Sequence, residues 1–239
     1  MELASLGCLR KNLRDIAKME WKDKLNLLQC ITSDLQIIHS HDLVHRDLHS
    51  GNILQNDFKN AYIADLGICG ILPYIAPEIL NKQPYTKASD VYSFGIIMWE
   101  ILYGKPVAFV QESKLQSKFQ YQFQVCDGLR PPVYESSATC YVDLMKKCWH
   151  TEPEKRPTAN EVYEIFSEWQ NNESILLELS ESDKKSQNIK NEDTGMKINI
   201  DSLYKSKFIS FNNSNQGNYK VLLKILIYIL AMFKLFFYR

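Results

Sequence analysis

LVHRDLHSGNIL, residues Leu43 to Leu54, places an Asp, an Asn and two histidines between apolar flanks. The apolar ends read as buried anchors and the polar centre as a loop held between them. Asp47 and Asn52 stand five residues apart, so a tight turn can bring a carboxylate and an amide to one place. His45 and His49 are the two potential bases beside Asp47.

Upstream, Trp21, Leu25, Leu28, Ile31, Leu35 and Ile38 follow one another at steps of four, three, three, four and three. That spacing predicts one apolar stripe on a helix of about five turns. It runs directly into the quoted loop. Downstream, NILQ and AYIADLG are short apolar runs separated by the polar NDFKN, which predicts a small hairpin. The hairpin folds Asp65, eighteen residues after Asp47, back toward the loop. Further on, SDVYSFGIIMWEILYG is apolar almost all round and reads as a buried helix. Ser89 or Asp90 stands near its start and Gly104 at its C′ position. YVDLMKKCW and ANEVYEIFSEW are two amphipathic helices joined by HTEPEKRPT. The expected fold is therefore mainly α, with a small β hairpin around the Asp-bearing loops.

The chain has 239 residues, 45% of them hydrophobic, and its 28 acidic and 28 basic residues cancel. Nothing in that balance steers it toward nucleic acid or an anionic surface. Its six cysteines, at 8, 30, 69, 126, 140 and 148, show no CxxC or zinc spacing. They read as reduced thiols of a cytoplasmic protein. The first residues are charged and lack an apolar secretory core. Residues 171–219, as in ESDKKSQNIKNEDTG, are too polar to bury much surface and read as a flexible, disordered tail. Residues 220–239 form a hydrophobic segment, with sixteen apolar residues and two lysines between 221 and 238. As a helix that run would span about 27 Å, just short of a bilayer core. Three readings of it stand: a membrane anchor with Lys224 and Lys234 snorkelling, a helix packed on the lobe, or a segment that does not fold.

HRDLHSGN resembles the H-R-D-L-x-x-x-N catalytic loop of the protein kinases, DLG at 65–67 resembles their D-F-G, and APE at 76–78 matches A-P-E. SDVYSFGIIMWEI and LMKKCWHTEPEKRPT resemble the central and last helices of the kinase C-lobe, and GILPYIAPE leans toward the tyrosine-kinase-like group of Ser/Thr kinases. The resemblance covers residues 1 to about 170, read as a partial domain of hinge plus C-lobe. Met1 falls at the gatekeeper position, and Glu2 to Ala4 at the hinge that meets adenine. The N-lobe elements, a G-x-G-x-x-G loop and a V-A-I-K lysine, do not occur in these residues. With the abrupt composition change near the end, this raises the expectation of a truncated or mis-joined gene product.

The resemblance implies ATP and Mg²⁺ as cofactors and proteins as substrates. It casts Asp47 as the residue that takes or orients the substrate hydroxyl proton, Asn52 and Asp65 as magnesium ligands, and Glu2, Ala4 and Leu54 as the adenine site. It gives structural parts to His45, Arg46, Glu78, Asp90 and Arg156: His45 props the loop, Asp90 bonds its backbone, and Glu78 pairs with Arg156. Kinase arginines at position 46 can pair with an activation-loop phosphate, but here a backbone-bonded loop Arg is the stronger expectation. His49, placed with Asp47 as a catalytic residue, replaces a lysine frequent in Ser/Thr kinases and would carry only part of a charge at neutral pH. Ile71 replaces a common Thr that bonds the catalytic loop. The activation segment DLGICGILPYIAPE has no Ser or Thr, so switching by its phosphorylation is not expected. Two functions follow: ATP-dependent phosphorylation of protein Ser/Thr, catalytically incomplete in this chain alone, or a pseudokinase-like binding or scaffold module.

Overall fold

A computed structural model of the chain describes residues 4–65, 71–107 and 118–189. The chain opens with β1 (Gly7–Cys8) and α1 (Leu9–Ile16), followed by α2 (Trp21–Ser40). β2 (Ile53–Gln55) and β3 (Ala61–Ile63) come next, then α3 (Pro77–Leu80), α4 (Lys87–Tyr103) and α5 (Lys118–Cys126). The order ends with α6 (Thr139–Cys148), α7 (Ala159–Gln170) and α8 (Glu173–Ile189). It is a mainly helical, kinase C-lobe-like fold with one small antiparallel sheet.

The apolar stripe is the inner face of α2: Leu25, Leu28, Ile31 and Ile38 are fully buried. Each such side chain contributes about 1.5–3 kcal/mol by leaving water. α2 packs chiefly on α7 and also on β3, which is why Leu27, outside the stripe, is buried too. α4 is the central helix, buried without a break from Ser89 to Leu102. Ser89 and Asp90 lie in its first turn, as read, and its cap is Thr86. The Thr86 hydroxyl accepts from the Ser89 backbone N–H at 3.3 Å while Ser89 bonds back to Thr86. Gly104 ends the helix in the left-handed region at φ 66°. A Cβ there would also lie 2.6 Å from Ala17 Cβ, so α1 and the end of α4 approach only because glycine is present.

β2 and β3 pair antiparallel as the hairpin predicts, with Leu54 opposite Tyr62. Asp57 staples the turn by accepting the Lys59 and Asn60 backbone N–H groups at 2.7 and 2.8 Å. β1, which no periodicity announces in two residues, adds a third strand with Cys8 opposite Leu54. Ile53, Gln55, Ala61 and Ile63 face the core, while Leu54 and Tyr62 alternate to the half-open face.

The polar segment after residue 171 departs from the flexible tail the composition predicts. Residues 173–189 form α8, started by Asn172, whose side chain accepts the Ser174 and Ile175 N–H groups at 3.1 and 3.2 Å. Leu179 is fully buried on the lobe, and Asp183 meets the buried Lys24 ammonium at 2.6 Å. Burial of a few apolar side chains and the pairing of an interior cation offset the ordering cost that composition alone makes look prohibitive. Residues 190–219 and the hydrophobic segment 220–239 lie outside the described residues. Among the described residues no helix is long and apolar enough to cross a membrane.

Candidate active site

The catalytic loop is held from below by a carboxylate. Asp90, in the first turn of α4, accepts the His45 N–H at 2.7 Å and the Arg46 N–H at 2.9 Å, and meets His39 Nε2 at 2.9 Å. Arg46 sits at φ 72°, a left-handed backbone that costs of order 1–3 kcal/mol for a non-glycine residue. The two bonds to the buried carboxylate offset that cost. Arg46 is thus tied by its backbone, while its guanidinium is exposed. His45 is buried, and its Nδ1 accepts the Asp47 N–H at 3.3 Å. Nε2 must then carry the proton, which it donates to the Ala64 carbonyl at 3.2 Å. Burial holds its pKa below the usual histidine value, consistent with a neutral prop.

Asp47 is only 8% exposed, and its buried Oδ1 has no hydrogen-bond partner among the described residues. Desolvation pushes its pKa up to about 7; the Asn52 amide and Arg10 oppose the rise, and the charge of Asp65 adds to it. Asn52 joins the parts of the site. Its amide nitrogen donates to the Asp47 carbonyl at 3.0 Å and the Asp65 carbonyl at 3.3 Å, with Asp47 Oδ2 at 3.4 Å. With its nitrogen committed to the chain, Asn52 keeps its side-chain oxygen as an acceptor. Asp65 is exposed and stands at φ 47°, a second strained residue. Asn52 oxygen and Asp65 carboxylate are hard ligands of the kind magnesium accepts alongside nucleotide phosphates. Among the described residues no group of three His, Cys, Asp or Glu could hold a metal without such help. The donor set fits a magnesium ion that arrives with its nucleotide.

His49 departs from the expected partial charge. It is 8% exposed, its Nδ1 accepts the Gly51 N–H at 3.0 Å, and Arg10 Nη2 lies 3.3 Å from the same atom. Burial, then the Arg10 charge, depress its pKa to about 3, so it is neutral. Its Nε2 lies 3.7 Å from Asp47 Oδ1, beyond hydrogen-bond range. Gly51 makes room for it: a Cβ there would fall 2.8 Å from His49 Nδ1. The fixed cation near the loop is Arg10 of α1, which the sequence reading overlooked. Arg10 also donates its backbone N–H to the Ser50 carbonyl at 3.0 Å. His39 and Glu100 were overlooked as well. The Tyr74 hydroxyl donates to buried Glu100 at 2.6 Å and meets Ser50 Oγ at 3.1 Å, tying the catalytic loop to α4. Ile71 is buried beside this network.

Glu78 and Arg156 form a two-point bridge, both contacts 2.7 Å. Arg156 also donates to the His150 and Ala88 carbonyls at 2.8 and 2.9 Å, and Tyr92 packs 5.2 Å from its guanidinium carbon. Leu54 is half-buried on the open face of the sheet, beside Cys8 and Tyr62. Ala4 caps the turn into β1, accepting the Gly7 N–H at 3.0 Å. Glu2 lies outside the described residues.

An Asp–Asn loop on a buried carboxylate, facing a short sheet over a helical lobe, defines a protein-kinase C-lobe. The family model described as protein tyrosine and serine/threonine kinase matches residues 1–166, and the chain belongs to that family. It is 34% identical over 176 residues to a putative serine/threonine-protein kinase/receptor of Acanthamoeba polyphaga mimivirus, a match covering 67% of this chain and 10% of the relative. It is 30% identical over 183 residues to the serine/threonine/tyrosine-protein kinase HT1 of Arabidopsis thaliana, covering 70% of this chain and 46% of that protein. A cyclic GMP-binding protein of Dictyostelium discoideum is 33% identical over 171 residues, covering 63% of this chain and 6% of its own length. The chain thus spans a tenth of the mimivirus relative and under half of the Arabidopsis one.

Proposed function

We propose that this chain carries the catalytic-loop half of an ATP-dependent protein Ser/Thr kinase site. The observation that carries the reading is the Asn52 amide, which holds the backbones of Asp47 and Asp65 together and leaves two oxygen ligands beside a buried carboxylate with one unpartnered oxygen. Magnesium bound with ATP would neutralise charge on the phosphates. Asn52 Oδ1 and the Asp65 carboxylate would hold it, and Leu54 would lie under the adenine. Asp47 would orient the substrate hydroxyl and take its proton. The raised pKa makes Asp47 a better proton acceptor than an exposed carboxylate while leaving it partly ionised at neutral pH.

Phosphoryl transfer rests on positioning and charge neutralisation, and both need groups over the phosphates. Neutral His49 adds no charge beside Asp47. That observation favours a second reading, a pseudokinase-like binding or scaffold module. One experiment separates them. ATP·Mg²⁺ should shift the melting point of the 239-residue chain little, because stabilisation follows affinity. A kinase N-lobe fused ahead of Met1 should give phosphate transfer to a protein substrate, and Asp47→Asn should abolish it. A fusion whose transfer survives Asp47→Asn would overturn the assignment of Asp47. A fusion with no transfer at all would favour the binding module.

A further inference from the structure

Arg10, in the first turn of α1, grips the catalytic loop at more than one point. Its backbone N–H donates to the Ser50 carbonyl at 3.0 Å, a bond that any residue but proline could make there. Its side chain goes further. Nη2 lies 3.3 Å from His49 Nδ1, and Nε lies 3.4 Å from Ser50 Oγ. Gly51 allows this approach, because a Cβ there would fall 2.8 Å from His49 Nδ1 and 3.2 Å from the Arg10 guanidinium carbon. The Tyr74 ring packs on the imidazole as well, with centroids 5.8 Å apart. The His49 ring is therefore held in one orientation by three other residues.

These contacts decide which ring nitrogen carries the proton. A guanidinium can only donate, and the Gly51 N–H also donates to Nδ1, at 3.0 Å. Nδ1 is thus an acceptor, and the proton of the neutral imidazole sits on Nε2. Nε2 lies 3.7 Å from Asp47 Oδ1, and among the described residues neither atom has a hydrogen-bond partner. A buried donor and a buried acceptor therefore stand side by side with nothing between them to satisfy either. One oxygen about 2.9 Å from each would satisfy both, giving its proton to the carboxylate and accepting from the ring. A hydroxyl carries both functions on one atom, whereas a carboxylate lacks the donor and an ammonium lacks the acceptor.

We infer that Arg10 is a positioning residue: by occupying His49 Nδ1 it turns the ring into an Nε2–H donor, so that His49 and Asp47 together hold the acceptor hydroxyl of the protein substrate. The inference rests on the kinase reading for the identity of that hydroxyl. The placement of the ring proton follows from the contacts alone.

Two measurements test it, on variants whose folding is checked by melting. Proton–nitrogen correlation NMR of the 239-residue chain reports which nitrogen of each imidazole is protonated, with His49 assigned by the loss of its signals in His49→Leu. His49 should carry its proton on Nε2 in the wild type and in Arg10→Lys, and should average between both nitrogens in Arg10→Met. In the fusion with a kinase N-lobe, Arg10→Met should lower kcat/KM for a Ser peptide about tenfold, the worth of one hydrogen bond. The KM for ATP should stay unchanged, and Arg10→Lys should recover most of the loss. A proton on Nδ1, an Nε2–H equally fixed in Arg10→Met, or unchanged kcat/KM would each overturn the inference. So would an ATP KM that rises as much as the peptide kcat/KM falls, since a structural clamp would do that. A fusion that transfers no phosphate fails the kinase reading instead, and the NMR measurement, which needs no transfer, still decides what Arg10 does to His49.

Discussion

The Glu78–Arg156 bridge and the Asp47 loop are both buried charged sites, yet they are built on opposite terms. Arg156 meets two carboxylate oxygens and further backbone carbonyls, and an aromatic ring covers it. Around Asp47, one carboxylate oxygen has no partner among the described residues, two neighbouring residues sit at positive φ, and a neutral histidine stops short of bonding range. The first site stores stability. The second is built at a cost in stability. His45, Asp90 and Asn52 keep the costly loop in place, so the difference is local and does not spread into the lobe.

Mutations can break or sharpen that contrast. The largest effect is expected from Arg156→Ala, which strands the largely buried Glu78 carboxylate and should cost up to about 3–5 kcal/mol. Urea unfolding would measure it; a midpoint equal to wild type would erase the distinction between the two sites. Gly51→Ala comes next, at about 1–3 kcal/mol, because its Cβ lands on the His49 ring, 2.8 Å from Nδ1. Exchange of the Arg10 and His49 side-chain N–H signals by NMR should show that pair displaced; unchanged signals would mean the loop has slack.

Asp47→Asn should act in the other direction and by less. Native Asp47 releases its proton near 7, whereas the ordinary carboxyl value is 3.8. Below the lower value both folded and unfolded chains are protonated and the wild type suffers no penalty. As pH rises from there toward about 7, the unfolded chain ionises and the native site resists, so wild-type stability falls. Asparagine has no such titration. The variant should therefore match wild type at about pH 3 and gain about 1–2 kcal/mol at about pH 5, read as a higher melting point. A variant destabilised at both pH values would show that Asp47 is held for structure after all.

The periodic parts of the molecule were open to reading. The stripe from Trp21 to Ile38 became the buried face of α2, and NILQ and AYIADLG became β2 and β3, because helix and strand spacing repeat over enough residues to be seen. Gly104 was placed correctly at the end of α4, since the left-handed position favours glycine. Ser89 and Asp90 fall in its first turn, as read, and which residue caps it was settled by the extended backbone at Thr86, which aims the hydroxyl back. β1 is two residues long and carries no period. α8 is polar on average, and its stabilising contact is Lys24, 159 residues away in sequence. Asn172 and the apolar pattern Ile175, Leu176, Leu179 were the local signals that could have announced it.

What the sequence determined by itself is the set of groups and their short-range order: Asp47, Asn52 and Asp65 at spacings a loop and a hairpin can close, and the helices around them. Local spacing suffices for this, because turns and amphipathic periods are written over a few consecutive residues. Only the tertiary structure decided the state of those groups. His49 is neutral because burial removes the solvent that would charge it, and Arg10, 39 residues earlier, reaches its ring. Arg46 holds its left-handed backbone because Asp90, 44 residues on, accepts its N–H, while among the described residues its side chain is exposed. Charge, desolvation and exposure are properties of neighbours in space, and here those neighbours come from distant parts of the chain.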